Sequence, residues 1–479
     1  MLFNSVEYMF LFLPIVFVGY WVLCRPLPRS WRVSALILAS LVFYSWYVPK
    51  SLLLFLPLIV INYALGMALR RWRKKWLLTL AIMANCLPLV FFKYTDFILS
   101  TVAELISWFG GGYANQPIGL ALPLGISYFT FVQIAYVVDA YRGSADVSFV
   151  DYAFSVSFWP KLIAGPIVRQ NEVVPQLSRK RFLNFNSTHV CIGLLTFAIG
   201  LGKKVLLADP LGGVADWGWS THASALDAAS SWLVTVAYTL QLYFDFSGYC
   251  DMAWGVALLF NIKLPVNFMS PYKADSIQDF WRRWHISLSR WLRDYLYFSF
   301  GGSRCSLPKT LRNVFLTFLI GGIWHGAGWT FIAWGALHGI ALSACNLWRK
   351  LQPRRLPRLV GWALTIVFVH FAWIFFRAPD VKSAFSMIAG MFGAYSGIGT
   401  TSYDWGLVNA WFVYVVLIVS IAVLPYPNSM QIAFYSFRKT RRWTWQIAGG
   451  CFVAVLVFGA LLRMLAKNVV SSPFVYFQF

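Results

Sequence analysis

The chain has 479 residues, of which 59% are hydrophobic and only 12% charged, with a mean hydropathy of +0.64. A soluble domain carries about a quarter charged residues, so this composition excludes one and makes lipid the solvent for much of the surface. The formal net charge of +23, from 40 Lys+Arg against 17 Asp+Glu, fits basic cytoplasmic loops of a polytopic membrane chain and not nucleic acid.

The first apolar run, 5–24, has no basic residue before it and no small-residue cleavage site after it. It predicts a retained helix, not a signal peptide. Runs of roughly the 17–25 residues that cross a bilayer follow at 33–48, 52–69, 76–92, 119–138, 190–206, 228–246, 313–347, 360–376, 407–424 and 446–464. The expected fold is an all-α polytopic membrane protein. It has about 11–12 transmembrane helices, with re-entrant and interfacial helices around a central cavity. A single membrane domain covers 1–479, divided into N-terminal helices (1–142), a core with re-entrant and amphipathic segments (143–377) and C-terminal helices (378–479).

Basic clusters orient the chain: Arg25, Arg29 and Arg32; Arg70, Arg71, Arg73, Lys74 and Lys75; Arg349, Lys350, Arg354, Arg355 and Arg358; Arg438, Lys439, Arg441 and Arg442. With all four in the cytoplasm, both termini face outward. Residues 150–177, broken by Pro160, Gly165, Pro166 and Pro175, read as a re-entrant or interfacial segment. The Gly/Ser-rich stretch 378–406 reads as a short outward loop. Seven scattered cysteines form neither a CxxC pair nor a metal-like group with histidine, so no disulfide framework and no metal site is expected.

Residues 238–251, YTLQLYFDFSGYCD, place Tyr243, Asp245 and Asp251 in or beside an apolar run. Buried carboxylates are costly in lipid and face a partner or a cavity. A pairing with a nearby arginine and a place in the wall of a reaction chamber both remain open. In 275–300, Trp281, Trp284, Leu288, Trp291, Leu292 and Tyr295 recur at three- and four-residue steps. That predicts one amphipathic helix in the membrane interface, with a tryptophan face and His285 beside it. Its Arg282, Arg283, Arg290 and Arg293 serve either lipid phosphates or a cytoplasmic mouth that attracts an anionic donor.

Segment 313–347 contains GGIWHGAGWTFIAWGALHG, with His325 and His338. Charge parity makes it begin and end on the same side. It is short for two full crossings at ~1.5 Å per residue, so a bent hairpin broken at Gly326-Ala327-Gly328 is expected. Irregular backbone at that depth needs protein or a cavity around it. On a continuous helix the two histidines would lie ~20 Å apart. One is therefore expected to be central and the other structural.

These residues resemble a known family. WHGAGWTFIAWGALHG, preceded by FWRRWHISLSRWLRDYLY and LQLYFDFSGYCDMAWG, is similar to the membrane-bound O-acyltransferase (MBOAT) family. The likeness is to bacterial members that O-acetylate exported polysaccharides. LPLGISYFTFVQIAYVVDAYRG and FWPKLIAGPIVRQNEVVPQL share it, and it covers most of 1–377. The resemblance implies an acyl transfer across the bacterial inner membrane, with acetyl-CoA as donor and no bound cofactor. The acceptor would be a hydroxyl of an alginate-like exported polysaccharide. A periplasmic or extracellular acetyl-relay partner is implied too. It makes His325 and His285 the catalytic pair. Arg282, Arg283, Trp281, Trp284, Trp324, Asp245, Tyr243 and His338 are then candidate substrate-binding residues.

The chemistry agrees. Thioester-to-alcohol transfer needs a base, an oxyanion pocket and exclusion of water. A buried neutral imidazole supplies the base. Backbone N–H groups freed at 326–328 are candidates for the pocket, and Trp324, Trp329 and Trp334 for the dry wall. No Ser or Cys nucleophile motif accompanies His325, which favours direct transfer. His370 reads as a packing residue, while His189 and His222 fall in polar loops. The rival readings are a D-alanyl, peptidoglycan or cellulose acyltransferase of the same family, a polysaccharide transporter or flippase, and an assembly scaffold.

Overall fold

The computed structural model describes residues 1–110, 117–220, 226–352, 356–396, 410–439, 455–461 and 474–475. It is 77% helical, with no strand among the described residues. Backbone polar groups in lipid must be satisfied within the segment, which leaves helices as the available solution here. Among the described residues five helices have the length and hydropathy to cross a membrane: Pro49–Trp72, Lys75–Trp108, Ser187–Ser220, Trp329–Leu351 and Arg358–Arg377. Tyr8–Leu23 and Tyr414–Val423 are shorter and apolar. The larger expected count included runs, such as 228–246, that fall outside this set. Expected span 446–464 lies outside the described residues except for 455–461. His222, Arg354, Arg355, Arg441 and Arg442 lie outside them as well.

The chain divides into two compact units, one of residues 1–186 with 260–265, the other of 187–259 with 266–479. The first unit holds α1 (Tyr8–Leu23), α2 (Arg29–Ser45), α3 (Leu52–Trp72), α4 (Lys75–Trp108) and α5 (Ile126–Tyr141). The short helices α6 (Phe149–Ser157), α7 (Trp159–Leu162), α8 (Gln170–Leu177) and α9 (Lys180–Leu183) follow. Amide side chains tie α3, α4 and α5 together. Asn62 Nδ2 donates to Asn85 Oδ1 (3.1 Å) and Gln133 Oε1 (3.2 Å), and Asn85 Nδ2 donates back to Asn62 Oδ1 (2.6 Å). Such bonds hold helices together where lipid offers no hydrophobic drive. The broken segment 150–177 is there as expected, as the three short helices α6–α8 with most of their side chains buried. Arg32 departs from its expected loop role. It is buried, with its guanidinium 4.6 Å from the Tyr20 ring and a bond to the Leu183 carbonyl.

In the second unit α10 (Ser187–Gly202) runs through a π-helical turn, Lys203–Ala208, into α11 (Asp209–Ser220). The 32-residue α12 (Ala228–Leu259) is buried along nearly all its length. Glycines let α10 and α12 touch. A Cβ on Gly255 would meet the Gly193 carbonyl at 2.5 Å, and one on Gly248 would meet that of Gly200 at 2.8 Å. Next come α13 (Ile277–Arg283), α14 (Ile286–Trp291), α15 (Leu307–His325), α16 (Trp329–Leu351) and α17 (Arg358–Arg377). The unit closes with α18 (Val381–Met391), α19 (Ala410–Val423) and α20 (Ser429–Lys439). Helix α18, whose N-cap Asp380 accepts from Ser383 N at 2.8 Å, occupies part of the expected loop 378–406.

The hairpin and its break come where expected. Its arms are longer, because α15 starts at Leu307 and α16 ends at Leu351. With 19 and 23 residues they reach ~28 and ~35 Å, so each approaches the length of a crossing, while of the two α16 alone is also apolar enough to be one of the five. A Cβ on Gly335 would meet the Phe318 carbonyl at 2.6 Å, so the arms pack backbone to backbone.

Candidate active site

His325 is the last residue of α15. The chain then extends through Gly326 (φ −157°) and Gly328 (φ −175°) and turns into α16. The imidazole is buried, 5% exposed. Its ring centroid lies 4.9 Å from Trp324, 5.0 Å from Trp334 and 5.3 Å from Phe376. Trp329, expected in this wall, is instead exposed. Phe376 of α17 takes that place.

His338 lies on α16, fully buried, its ring 4.7 Å from Trp334. The Trp281 Nε1–H donates to its Nδ1 at 3.2 Å. Trp334 therefore touches both imidazoles. The glycine break leaves one indole between histidines that a continuous helix would hold ~20 Å apart.

His285 joins α13 to α14 in the left-handed region, φ 42° and ψ 54°. A non-glycine residue there is uncommon and marks a constrained site. The single interfacial helix expected over 275–300 is therefore broken in two. Trp281, Trp284 and Trp291 are also buried inside the protein, not laid on lipid. The segment stays in place through backbone bonds from Met269 N to Arg283 O and from Ile286 N to Asn267 O. His285 Nδ1 lies 3.2 Å from Asn267 Oδ1, which also accepts from Ser287 N (3.0 Å) and Ser287 Oγ (2.9 Å). Burial pushes the imidazole down to about 3, so it is neutral at ordinary pH. Phe268, Trp284, Trp373 and Phe376, each ring 6.5 Å or less from the next, lead from His285 to His325.

The remaining predicted residues fall into three places. Arg282 is exposed, while Arg283 is bound to Asp279 (2.8 Å). Tyr243 packs on Tyr272 (5.2 Å) and Trp284 (6.4 Å), and lines a cavity of about 550 Å³ with Lys203, Val416, Val419, Asn428 and Ser429. Asp245 is buried against Lys204 Nζ (2.6 Å) and accepts from Val475 N (2.9 Å). Asp251 meets Lys203 Nζ and Ser429 Oγ, both at 2.6 Å. The carboxylates thus pair with lysines, not the arginine expected.

Sequence reasoning passed over Lys203 and Lys204. Their signal was two adjacent lysines within the apolar run IGLGKKVLLA. It also passed over Trp373 and Phe376, which carried no mark beyond apolarity. His370 bonds Thr239 Oγ1 through Nδ1 at 2.9 Å and stacks on Trp232, tying α17 to α12 as a packing residue does. His189, read as a loop residue, is buried on α10. Among the described residues no cluster of His, Cys, Asp or Glu could hold a metal.

The described residues are thus those of an all-helical membrane protein that holds a buried imidazole at a helix break, walled by aromatic rings. The chain belongs to the membrane-bound O-acyltransferase family, MBOAT, whose profile matches residues 69–388. It is a multi-pass membrane O-acyltransferase. It is 43% identical over 82% of its length to the peptidoglycan O-acetyltransferase of Helicobacter pylori, covering 80% of that protein. It is 41% identical to a probable alginate O-acetylase AlgI of Pseudomonas aeruginosa, over 82% of this chain and 75% of the other. To the teichoic acid D-alanyltransferase of Bacillus subtilis it is 27% identical, over 62% of this chain and 76% of that one.

Proposed function

We propose that the protein moves an acetyl group from cytoplasmic acetyl-CoA across the inner membrane to hydroxyls of a polysaccharide outside. Transfer goes either directly or through a periplasmic or extracellular relay protein. His325 is the base. The observation that carries this reading is its buried imidazole, packed among Trp324, Trp334 and Phe376 at the break between α15 and α16. Such a ring accepts the hydroxyl proton while its surroundings keep water from the thioester. The named relatives support the acyl group and the acceptor: two are O-acetylating proteins of glycans, alginate and peptidoglycan. The basic clusters that follow α3 and α16 support termini that face outward. The exposed Arg282 and Arg290 suit the phosphates of the donor, whereas Arg293 is bound to Asp294 at 2.7 Å.

The test is transfer of radiolabelled acetyl by the purified protein in liposomes, with alginate-like polymer or peptidoglycan strands supplied outside. A relay partner is added in a parallel arm. His325→Ala is expected to lower transfer per folded molecule by roughly 10²–10⁴-fold, the usual worth of a general base, with a lower thermal midpoint from the cavity left among Trp324, Trp334 and Phe376. A His325→Ala protein that acetylates normally overturns the assignment. Labelled D-alanine on its carrier tests the reading that the teichoic acid relative raises.

A further inference from the structure

Two buried N–H groups, one on Trp334 beside His325 and one on the adjoining ring of His338, have no acceptor. The indole Nε1 of Trp334 and the imidazole Nε2 of His338 are both buried, 1% and 0% exposed by residue, and neither has a hydrogen-bond partner. The proton on His338 is placed from its other side. Trp281 Nε1–H donates to Nδ1 at 3.2 Å, so Nδ1 is the acceptor and the neutral ring carries its hydrogen on Nε2. The two rings are 4.7 Å apart, and the Trp334 ring is 5.0 Å from that of His325. Unpaired buried donors are rare and destabilising. The described residues hold other unpaired buried donors, Trp219 Nε1 and Trp373 Nε1 among them; these two are set apart because they lie in touching rings, one of them against the base, where an acceptor that arrives with the substrate would meet both.

We propose that Trp334 Nε1–H and His338 Nε2–H hold the carbonyl oxygen of the acyl donor as it becomes an oxyanion. This deepens the reading of His325 as base and rests on it. The acceptor's hydroxyl oxygen bonds to the thioester carbonyl carbon while His325 takes the hydroxyl proton. The carbonyl π pair moves onto the carbonyl oxygen, whose charge is met by the two N–H groups. When the C=O bond re-forms, the C–S bond breaks, and the leaving thiolate takes the proton back from the imidazolium. Neutral donors fixed in a dry site act most strongly on charge that develops only along the reaction. The Trp281–His338 bond makes Trp281 a positioning residue, since it keeps the Nε2 hydrogen in place.

The test uses purified full-length protein in liposomes. Trp334→Phe keeps an aromatic ring and removes the N–H; His338→Phe does the same, and His338→Gln restores a donor. Transfer of radiolabelled acetyl from acetyl-CoA is expected to lose ~10²–10³-fold in kcat in either Phe variant. The KM for acetyl-CoA should change only severalfold, and the Gln variant should recover part of the loss. The pH at which the acid limb of activity falls should not move. A second readout needs no catalysis: the infrared stretch of a ¹³C-labelled ketone analogue of acetyl-CoA with CH₂ in place of sulfur. Two N–H bonds lower that stretch in the wild type, and Trp334→Phe raises it again. Wild-type kcat and an unmoved stretch in Trp334→Phe would overturn the donor pair. His325→Ala is run alongside. If it is inactive while Trp334→Phe is fully active, the donors fail and the base stands. If it is active, the base fails, and the ketone stretch decides the donors alone.

Discussion

Two buried polar clusters of the second unit solve the same problem in opposite ways. On the π turn between α10 and α11, Lys203 and Lys204 are matched to Asp251 and Asp245, with Ser429, Asp209 and the Val475 amide completing the shell. At the α15–α16 break, Trp334 and His338 each keep a buried N–H without an acceptor. Burying charge is tolerated when it is paired and bonded, and each unpaired group detracts from stability. The first cluster is complete without a ligand and reads as structure. The second is complete only with one.

The sharpest way to break that contrast is to unpair the charge cluster. Lys204→Met leaves Asp245 and Asp209 facing an apolar side chain. Removing one partner of a buried pair typically destabilises by ~3–5 kcal/mol. The thermal midpoint in detergent should fall accordingly, and Lys204→Met combined with Asp245→Leu should regain much of the loss. Acetyl transfer per folded molecule should change little, whereas Trp334→Phe should do the reverse. If Lys204→Met abolishes transfer at unchanged stability, the charge cluster belongs to the site and the contrast collapses.

The two clusters were not equally legible in the sequence. The α15–α16 break announced itself through Gly326 and Gly328, because glycine marks backbone that leaves the helix. The break at His285 carried no such mark. A left-handed histidine looks like any other histidine, and the spacing of Trp281, Trp284, Leu288 and Trp291 continues across it as though one helix ran through. The two carboxylates were noticed because charge is rare in apolar runs. Their lysines stand out less, because basic residues in a membrane chain more often lie in loops, as the buried Arg32 also illustrates. The apolar run 76–92 stops short of the helix it belongs to, since α4 continues past Lys93 and Asp96 to Trp108. The rings of Trp373 and Phe376 became visible only once α17 was packed, since sequence spacing says nothing about which distant helix faces a site.

His285 lies between the two cases, and pH sharpens the distinction. Its Nδ1 meets Asn267 Oδ1, and burial holds it near 3 against an ordinary value of 6.5. In the unfolded chain it takes up a proton below ~6.5, which the folded protein refuses until about 3. Between those values the unfolded state binds more protons, so stability falls as pH falls, by at most ~1.4 kcal/mol per unit from this group. Above 6.5 it contributes no slope. His285→Asn suits the left-handed backbone and should flatten the stability curve relative to wild type between pH 6 and 5. Equal slopes in the two proteins would mean that His285 is hydrated enough to charge in the fold.

The smallest effect concerns the surface, where the same contrast recurs between neighbours. Arg283 is committed to Asp279 at 2.8 Å. Arg282 is exposed and has no carboxylate within ion-pair distance among the described residues. A surface ion pair is worth about 0–1 kcal/mol, so Arg283→Gln should lower stability by no more than that. Arg282→Gln should leave stability alone and act on the donor. At low salt the KM for acetyl-CoA should rise severalfold through lost attraction of its phosphates. At ~0.5 M salt, where the screening length falls to a few ångström, wild type and variant should converge. A KM that responds to Arg283→Gln and ignores Arg282→Gln would reverse the assignment, because the paired guanidinium would then be the one that meets the donor.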